Sequence, residues 1–127
     1  MSAGNSPRTE SNIFMHVQDG ITCVQFTSTK IVDVKTISQL GDELLALVEK
    51  RAIRKMVIDM QSVQFLSSAM LGKLMAVHKS LAANKGALKI SGLAPSLLEV
   101  FKITRLDKIF QIYPTVSEAI TSFRPGS

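Results

Sequence analysis

The sequence predicts an α/β domain: a mixed β-sheet that opens with a hairpin and continues in alternating helices and strands. Three observations carry this. Two alternating apolar runs, Ile13–Gln18 and Ile21–Phe26, flank Asp19-Gly20, a strong hairpin signal. Four later segments repeat apolar residues at helical spacing, with short apolar or β-branched runs between them. Hydrophobic residues make up 46% of the chain while Trp is absent, so aliphatics and methionines must fill a core of helices laid on a sheet. At 127 residues the chain is one domain, long enough for such a core.

Residues 1–11, MSAGNSPRTES, are small and polar and predict a flexible tail, with the folded domain at 12–123 and a flexible end at 124–127. In the hairpin, Ile13, Met15 and Val17 share one side of the first strand. Ile21 and Cys23 oppose Thr22, Val24 and Phe26 in the second. Residues 27–35 are less regular. Thr36-Ile37-Ser38-Gln39 reads as a capping box that opens a helix running to about 51. Its inner face is Ile37, Leu40, Leu44, Leu47 and Val48, with Asp42 and Glu43 early and Lys50 and Arg51 late, as the helix dipole prefers.

A buried strand is expected at 56–60 and a second apolar patch at 63–66. Ser67 and Ser68 then stand before a helix whose inner face is Leu71, Leu74, Met75, His78, Leu81 and Ala82. That phase turns Met70, Lys73 and Val77 outward, and Gly86 is the expected C-terminal cap. Residues 87–91 form a short strand, and Pro95 sits in the first turn of a helix that buries Leu97, Leu98 and Phe101 and ends near 103–104. The last strand is expected at 109–113. Thr115-Val116-Ser117-Glu118 is a second capping box, followed by the stripe Val116, Ala119, Ile120 and Phe123. Alternation of this kind implies right-handed parallel crossovers behind the leading hairpin.

Several function classes are excluded. The net charge of +5 comes from scattered basic residues. The tight cluster Lys50-Arg51-Arg54-Lys55 falls at a helix end with no aromatics interleaved to stack on bases, so direct nucleic-acid binding is not expected. Cys23, the one cysteine, cannot form an internal disulfide, which suits a reducing compartment. There is no signal-peptide pattern and no bilayer-length apolar run, so a cytoplasmic protein without membrane insertion is expected. No Cys/His cluster has metal spacing and no glycine-rich phosphate loop occurs, so no cofactor is expected. His16 and His78 read as half-buried, hydrogen-bonded residues. Ser68, His78 and Asp59 could make a triad by residue type. His78, however, lies nearly three turns along the helix and points inward, so the chain is not expected to be an enzyme.

The stretch Phe65-Leu66-Ser67-Ser68-Ala69-Met70-Leu71-Gly72 resembles the motif of STAS domains in the anti-sigma factor antagonist (anti-anti-sigma factor) family. There, a strand and an aromatic or aliphatic pair precede Asp-Ser-Ser/Thr-Gly-Leu-Gly at a helix start. Phe65, Leu66, Ser68, Leu71 and Gly72 match in kind. Ser67 stands where the family has Asp, Ala69 where it has the phosphorylated hydroxyl, and Met70 where it has Gly. Asp33 takes the position of the family's aspartate before the first helix, while Lys30 replaces a glycine. The closing run from Lys89-Ile90-Ser91-Gly92 to Leu106-Asp107-Lys108-Ile109-Phe110 also matches in kind, so the resemblance spans about 13–123.

The resemblance implies the STAS fold with about four helices. It also implies an anti-sigma factor antagonist whose partner is an anti-sigma factor with serine kinase activity. Unphosphorylated protein binds that partner, and phosphorylation adds nearly two negative charges that break the interface. Ala69 leaves two alternatives open. The acceptor has moved to Ser68, the favoured residue, or to Ser67; or the chain is an unphosphorylated interaction module, such as a stress-signalling scaffold or a lipid-transport complex subunit. The partner-binding candidates are Asp33, Ser67, Ser68, Met70, Lys73 and Val77, and a monomer or weak dimer is expected.

Overall fold

The structure, a computed structural model, describes residues 13–124. The expected tail at 1–11 and the last three residues of the expected flexible end lie outside the described residues. Arg124 itself forms an exposed ion pair of 2.8 Å with Asp19.

Strands β1 (Ile13–Gln18) and β2 (Ile21–Phe26) form the expected hairpin, with Gln18 opposite Ile21. Both loop residues have positive φ, 55° at Asp19 and 77° at Gly20, the twist a two-residue hairpin needs. Strands β3 (Lys30–Ile31), β4 (Lys55–Asp59), β5 (Phe65–Leu66), β6 (Ala87–Ser91) and β7 (Gln111–Tyr113) alternate with helices α1 (Val34–Glu49), α2 (Ser68–Ala83), α3 (Pro95–Ile103) and α4 (Val116–Ser122). The main sheet runs β1-β2-β4-β6-β7, antiparallel in the hairpin and parallel beyond it. Strands β3 and β5 pair separately.

Period-two alternation divides the core between the sheet's faces. Val24, Phe26, Met56, Ile58, Leu88 and Ile90 pack under α1, α2 and α3, against residues such as Leu44, Leu74 and Phe101. Ile21, Cys23 and Val57 pack under α4, against Ala119 and Ile120. The same face buries Lys89, whose Nζ donates to Ser122 Oγ at 2.7 Å and sits 4.2 Å from the Phe123 ring centroid. That contact lets a cation lie beneath α4.

Four local expectations are corrected. Helix α1 is capped by Asp33, whose Oδ2 accepts from the Thr36 N–H at 2.9 Å, so Thr36 lies inside the first turn. Two potential caps stand three residues apart, and the carboxylate is the stronger acceptor. The last strand begins at Gln111 because 106–108 is a 3-10 turn. Met60 lies past the end of β4, and its N–H crosses to the Ser91 carbonyl at 2.9 Å. At the end of α2 the left-handed residue is Lys85, with φ 64°, and Gly86 comes one later. Gly86 N–H donates to Leu81 O and Lys85 N–H to Ala82 O, the paired bonds of a Schellman ending. A lysine in that conformation carries strain that glycine does not. Lys85→Gly is therefore expected to raise stability by roughly 0.5–1 kcal/mol. A denaturant midpoint at or below wild type would show that the strain is absent.

Candidate functional site

The site grows out of the small β3–β5 pair. Lys30 lies beside Phe65 and Ile31 beside Leu66. The Thr29 carbonyl accepts from the N–H groups of Gln64 and Phe65, at 2.8 and 3.1 Å, and the Ile31 carbonyl accepts from Ser67 N–H at 3.0 Å. Buried Ile31 anchors this ladder in the core. Just past it the two chains enter α1 and α2, so both helix N-termini open at one end of the domain, with the helices packed together.

Ser67 caps α2. Its Oγ accepts from Met70 N–H at 3.3 Å, and its side is half-buried. Ser68 and Ala69 follow in the first turn and both are exposed. That turn holds no acidic side chain, so the dipole's positive end is uncompensated there. Asp33 is exposed on the neighbouring helix end. The backbone N–H and hydroxyl of Thr36 hold its carboxyl below the usual carboxylate range, with Lys35 adding to this. Its capping contribution is therefore present at neutral pH and is lost as pH falls through that lowered value.

Around these groups lies an apolar surface the sequence reading missed. Val34 is 84% exposed and Phe65 is 52% exposed, with Val32 similarly open. The register 30–65 and 31–66 brings the two segments together. Lys30 Nζ lies 5.5 Å from the Phe65 ring centroid. One signal could have revealed part of this. With Asp33 as the cap, Val34 is the first helical residue and has no core face to reach.

Of the six expected contact residues, Asp33, Ser67 and Ser68 come together at this end. Met70 and Val77 do not belong to an outer face, because both are fully buried. Lys73 is half-buried, and its aliphatic stem lies against Gly41 of α1. The physical reason is that α2 packs on the sheet and on α1 together. Its buried arc, Met70, Leu71, Leu74, Val77 and Leu81, is a single stripe turned from the expected phase; Ala82 is exposed.

The arrangement does not assemble a triad. Asp59 points to the α4 face of the sheet, where its Oδ1 accepts from Gln61 N–H at 3.0 Å beside Gly92. His78 lies on the other face, with its ring edge-on to Phe110 at 5.4 Å. His78 is half-buried as expected, but its Nδ1 is buried without a hydrogen-bond partner, and His16 is exposed rather than half-buried. Burial pushes the Cys23 thiol up, and the Asp59 charge adds to this, which suits an unreactive core residue. Among the described residues no group of three His, Cys, Asp or Glu side chains could hold a metal ion, and no helix is long and apolar enough to cross a membrane.

The sequence and the fold resemble those of known proteins. The STAS domain family profile matches residues 12–119. A Bordetella bronchiseptica protein named as an anti-sigma factor antagonist, BtrV, is 32% identical over 104 residues, covering 82% of this chain and 85% of its own. An anti-sigma factor antagonist from Mycobacterium paratuberculosis superposes with a TM-score of 0.76 at 29% identity, covering 87% of this chain and 91% of that one. A STAS domain protein from Planctomyces limnophilus gives 0.79 at 22% identity, over 88% and 97% of the two chains, and shares the fold. The family profile over 12–119 and the 32% identity over 104 residues show the family: the chain belongs to the STAS domain family.

Proposed function

We propose that this protein is an anti-sigma factor antagonist. It docks on an anti-sigma factor of the serine-kinase class through the end of the domain where α1 and α2 begin. The observation that carries this is the exposed apolar surface of Val32, Val34 and Phe65 beside the exposed hydroxyl of Ser68. Exposed apolar side chains grouped with a polar rim mark interaction surfaces. The likeness to BtrV supports an anti-sigma factor as the partner, and the serine-kinase class follows from the resemblance of the Phe65–Gly72 motif.

Phosphorylation at Ser68 switches the contact off. A phosphate there suits the helix N-terminus, so the fold tolerates it, while its charge and desolvation oppose a close apolar interface. Ser67 is the lesser candidate, because its Oγ is occupied as the cap. One observation favours a second reading: Ala69 is exposed in the same turn with no hydroxyl to modify, as in a constitutive module that binds without a switch.

The test begins with capture of the partner from native cells and intact-mass measurement of the bound and free chain. Ser68→Asp is expected to weaken partner affinity about tenfold or more while shifting stability by only about 0.3–1 kcal/mol, upward. Ser68→Ala binds normally and resists modification. Ser67→Ala loses a cap, roughly 1 kcal/mol, and keeps its affinity. Absence of a one-phosphate mass increase with partner and ATP, together with unchanged affinity for Ser68→Asp, would favour the constitutive module. Unchanged affinity on Val34→Lys and on Phe65→Lys would remove this surface from the interface.

A further inference from the structure

We propose that the open pocket between α4 and the β6–β7 edge of the sheet binds a polyhydroxy monocarboxylate, such as a sugar acid, with Lys89 as its anchoring cation. The pocket measures about 620 Å³, within the range of small-molecule sites. Strand β6 contributes Lys89 to its lining, β7 contributes Gln111 and Tyr113, and α4 contributes Ser117, Thr121 and Ser122.

Lys89 selects an anion. Only 6% of the residue is exposed. An ammonium taken out of water is costly unless a counter-ion and hydrogen bonds replace the solvent. Of its three N–H donors, one goes to Ser122 Oγ at 2.7 Å. The ring centroids of Phe123 and Tyr113 lie 4.2 and 5.6 Å from Nζ and offset part of the charge. Among the described residues no Asp or Glu side chain pairs with it. Ser122 has nothing further to offer, because its O–H already donates to the Ala119 carbonyl at 2.6 Å. Two N–H donors and a positive charge remain at the pocket wall. A carboxylate supplies both the missing acceptor oxygens and the missing charge.

The rim selects the rest of the ligand. Ser117 and Thr121 lie about one turn apart on one side of α4, exposed, with their hydroxyls unpartnered. Gln111 Oε1 accepts from the Tyr113 O–H at 3.3 Å, which leaves the amide NH2 to donate. Such a lining suits hydroxyl groups on the ligand rather than an apolar chain. It also limits the ligand to one charge. Glu118 borders the same pocket, with its Oε2 accepting from Thr115 Oγ1 at 3.4 Å, and Lys89 is the one cation in the lining. A second carboxylate on the ligand meets repulsion there with no cation to answer it. The site lies on the α4 face of the sheet, opposite α1 and α2, so it does not depend on the partner surface proposed above.

The test uses the full chain, labelled with nitrogen-15 and titrated with sodium gluconate to about 50 mM at constant ionic strength. Saturable amide shifts are expected around Lys89, Gln111, Tyr113 and the outer side of α4, with a dissociation constant of about 10 mM or below. Sorbitol, the same polyol without the carboxylate, should give no saturable shift. Glucarate, with a second carboxylate, should bind at least about threefold more weakly. Lys89→Met keeps an aliphatic stem in place and should abolish the gluconate shifts. Thr121→Glu keeps the test decisive if that core variant fails to fold. Residue 121 is exposed, and the new carboxylate takes the ligand's place at Lys89. It should weaken gluconate at least about tenfold with the melting temperature at or above wild type. Shifts that stay linear throughout, saturable shifts elsewhere on the chain, or equal binding of sorbitol overturn the proposal. So do glucarate binding as tight as gluconate and an affinity unchanged by Thr121→Glu.

Discussion

Val77→Asp is expected to unfold the domain or leave it close to unfolding at room temperature. Val77 is fully buried on the side of α2 that carries Met70 and Leu74. Truncation alone removes contacts and leaves a cavity, so Val77→Ala should cost roughly 2 kcal/mol. Aspartate adds a carboxylate among apolar neighbours, which either stays charged without a partner or takes up a proton. Either course brings the loss to about 4 kcal/mol or more, a large share of what a small domain has. The sign with pH follows. Burial raises the carboxyl's folded pKa, so the deficit is greatest above the ordinary carboxylate range and shrinks as pH falls and the group is protonated. Ala76→Asp is the control. That residue is exposed one position earlier, and the change should stay within about 0.5 kcal/mol. Urea unfolding of the three variants decides between two phases of one helix. If Val77→Asp matches Ala76→Asp, Val77 faces solvent and α2 is rotated from its place here.

That rotation marks where the sequence was legible. Turn and cap chemistry is local, and it located the elements: Asp19-Gly20 for the hairpin, Ser67 for α2, Pro95 for α3 and Thr115 for α4, where Glu118 N–H donates to Thr115 Oγ1 at 3.1 Å. The inner face of α1 was legible too, because its apolar residues lie at one spacing and all five expected positions are buried. Helix α2 has apolar residues nearly all round, so periodicity alone could not decide which arc meets α1 and which the sheet. The candidate site was legible only in half. Ser67 and Ser68 announced a helix start, but Val32 and Val34 fell in the irregular stretch 27–35, and Phe65 read only as part of the apolar patch at 63–66. What exposes them is the pairing of two two-residue strands, too short to leave a periodic trace and far apart in the chain.

Gly86→Ala is the second change expected to have a large effect, and its cause lies in β4's approach rather than in the helix it follows. The φ at Gly86 is not left-handed; that role belongs to Lys85. A Cβ at 86 would lie 2.3 Å from the Arg54 carbonyl oxygen and 3.0 Å from both its carbonyl carbon and Cα. All three are backbone atoms, so no side-chain rotation relieves the clash. The same carbonyl accepts from Ala87 N–H at 2.8 Å, the bond that starts the β4–β6 ladder. Moving Arg54 to make room loosens that bond and shifts Met56 and Leu88, both buried, out of place. Overpacking of this kind costs about 2–3 kcal/mol. Gly72→Ala supplies the contrast. Gly72 is exposed inside α2, and nothing lies within 4 Å of a Cβ built there. Alanine at that position removes only glycine's entropic penalty and should stabilise by about 0.5–1 kcal/mol. Matched denaturant curves for the two variants should therefore move in opposite directions from wild type. A Gly86→Ala midpoint at or above wild type would mean that β4 does not approach the end of α2 as closely as the 2.3 Å contact requires.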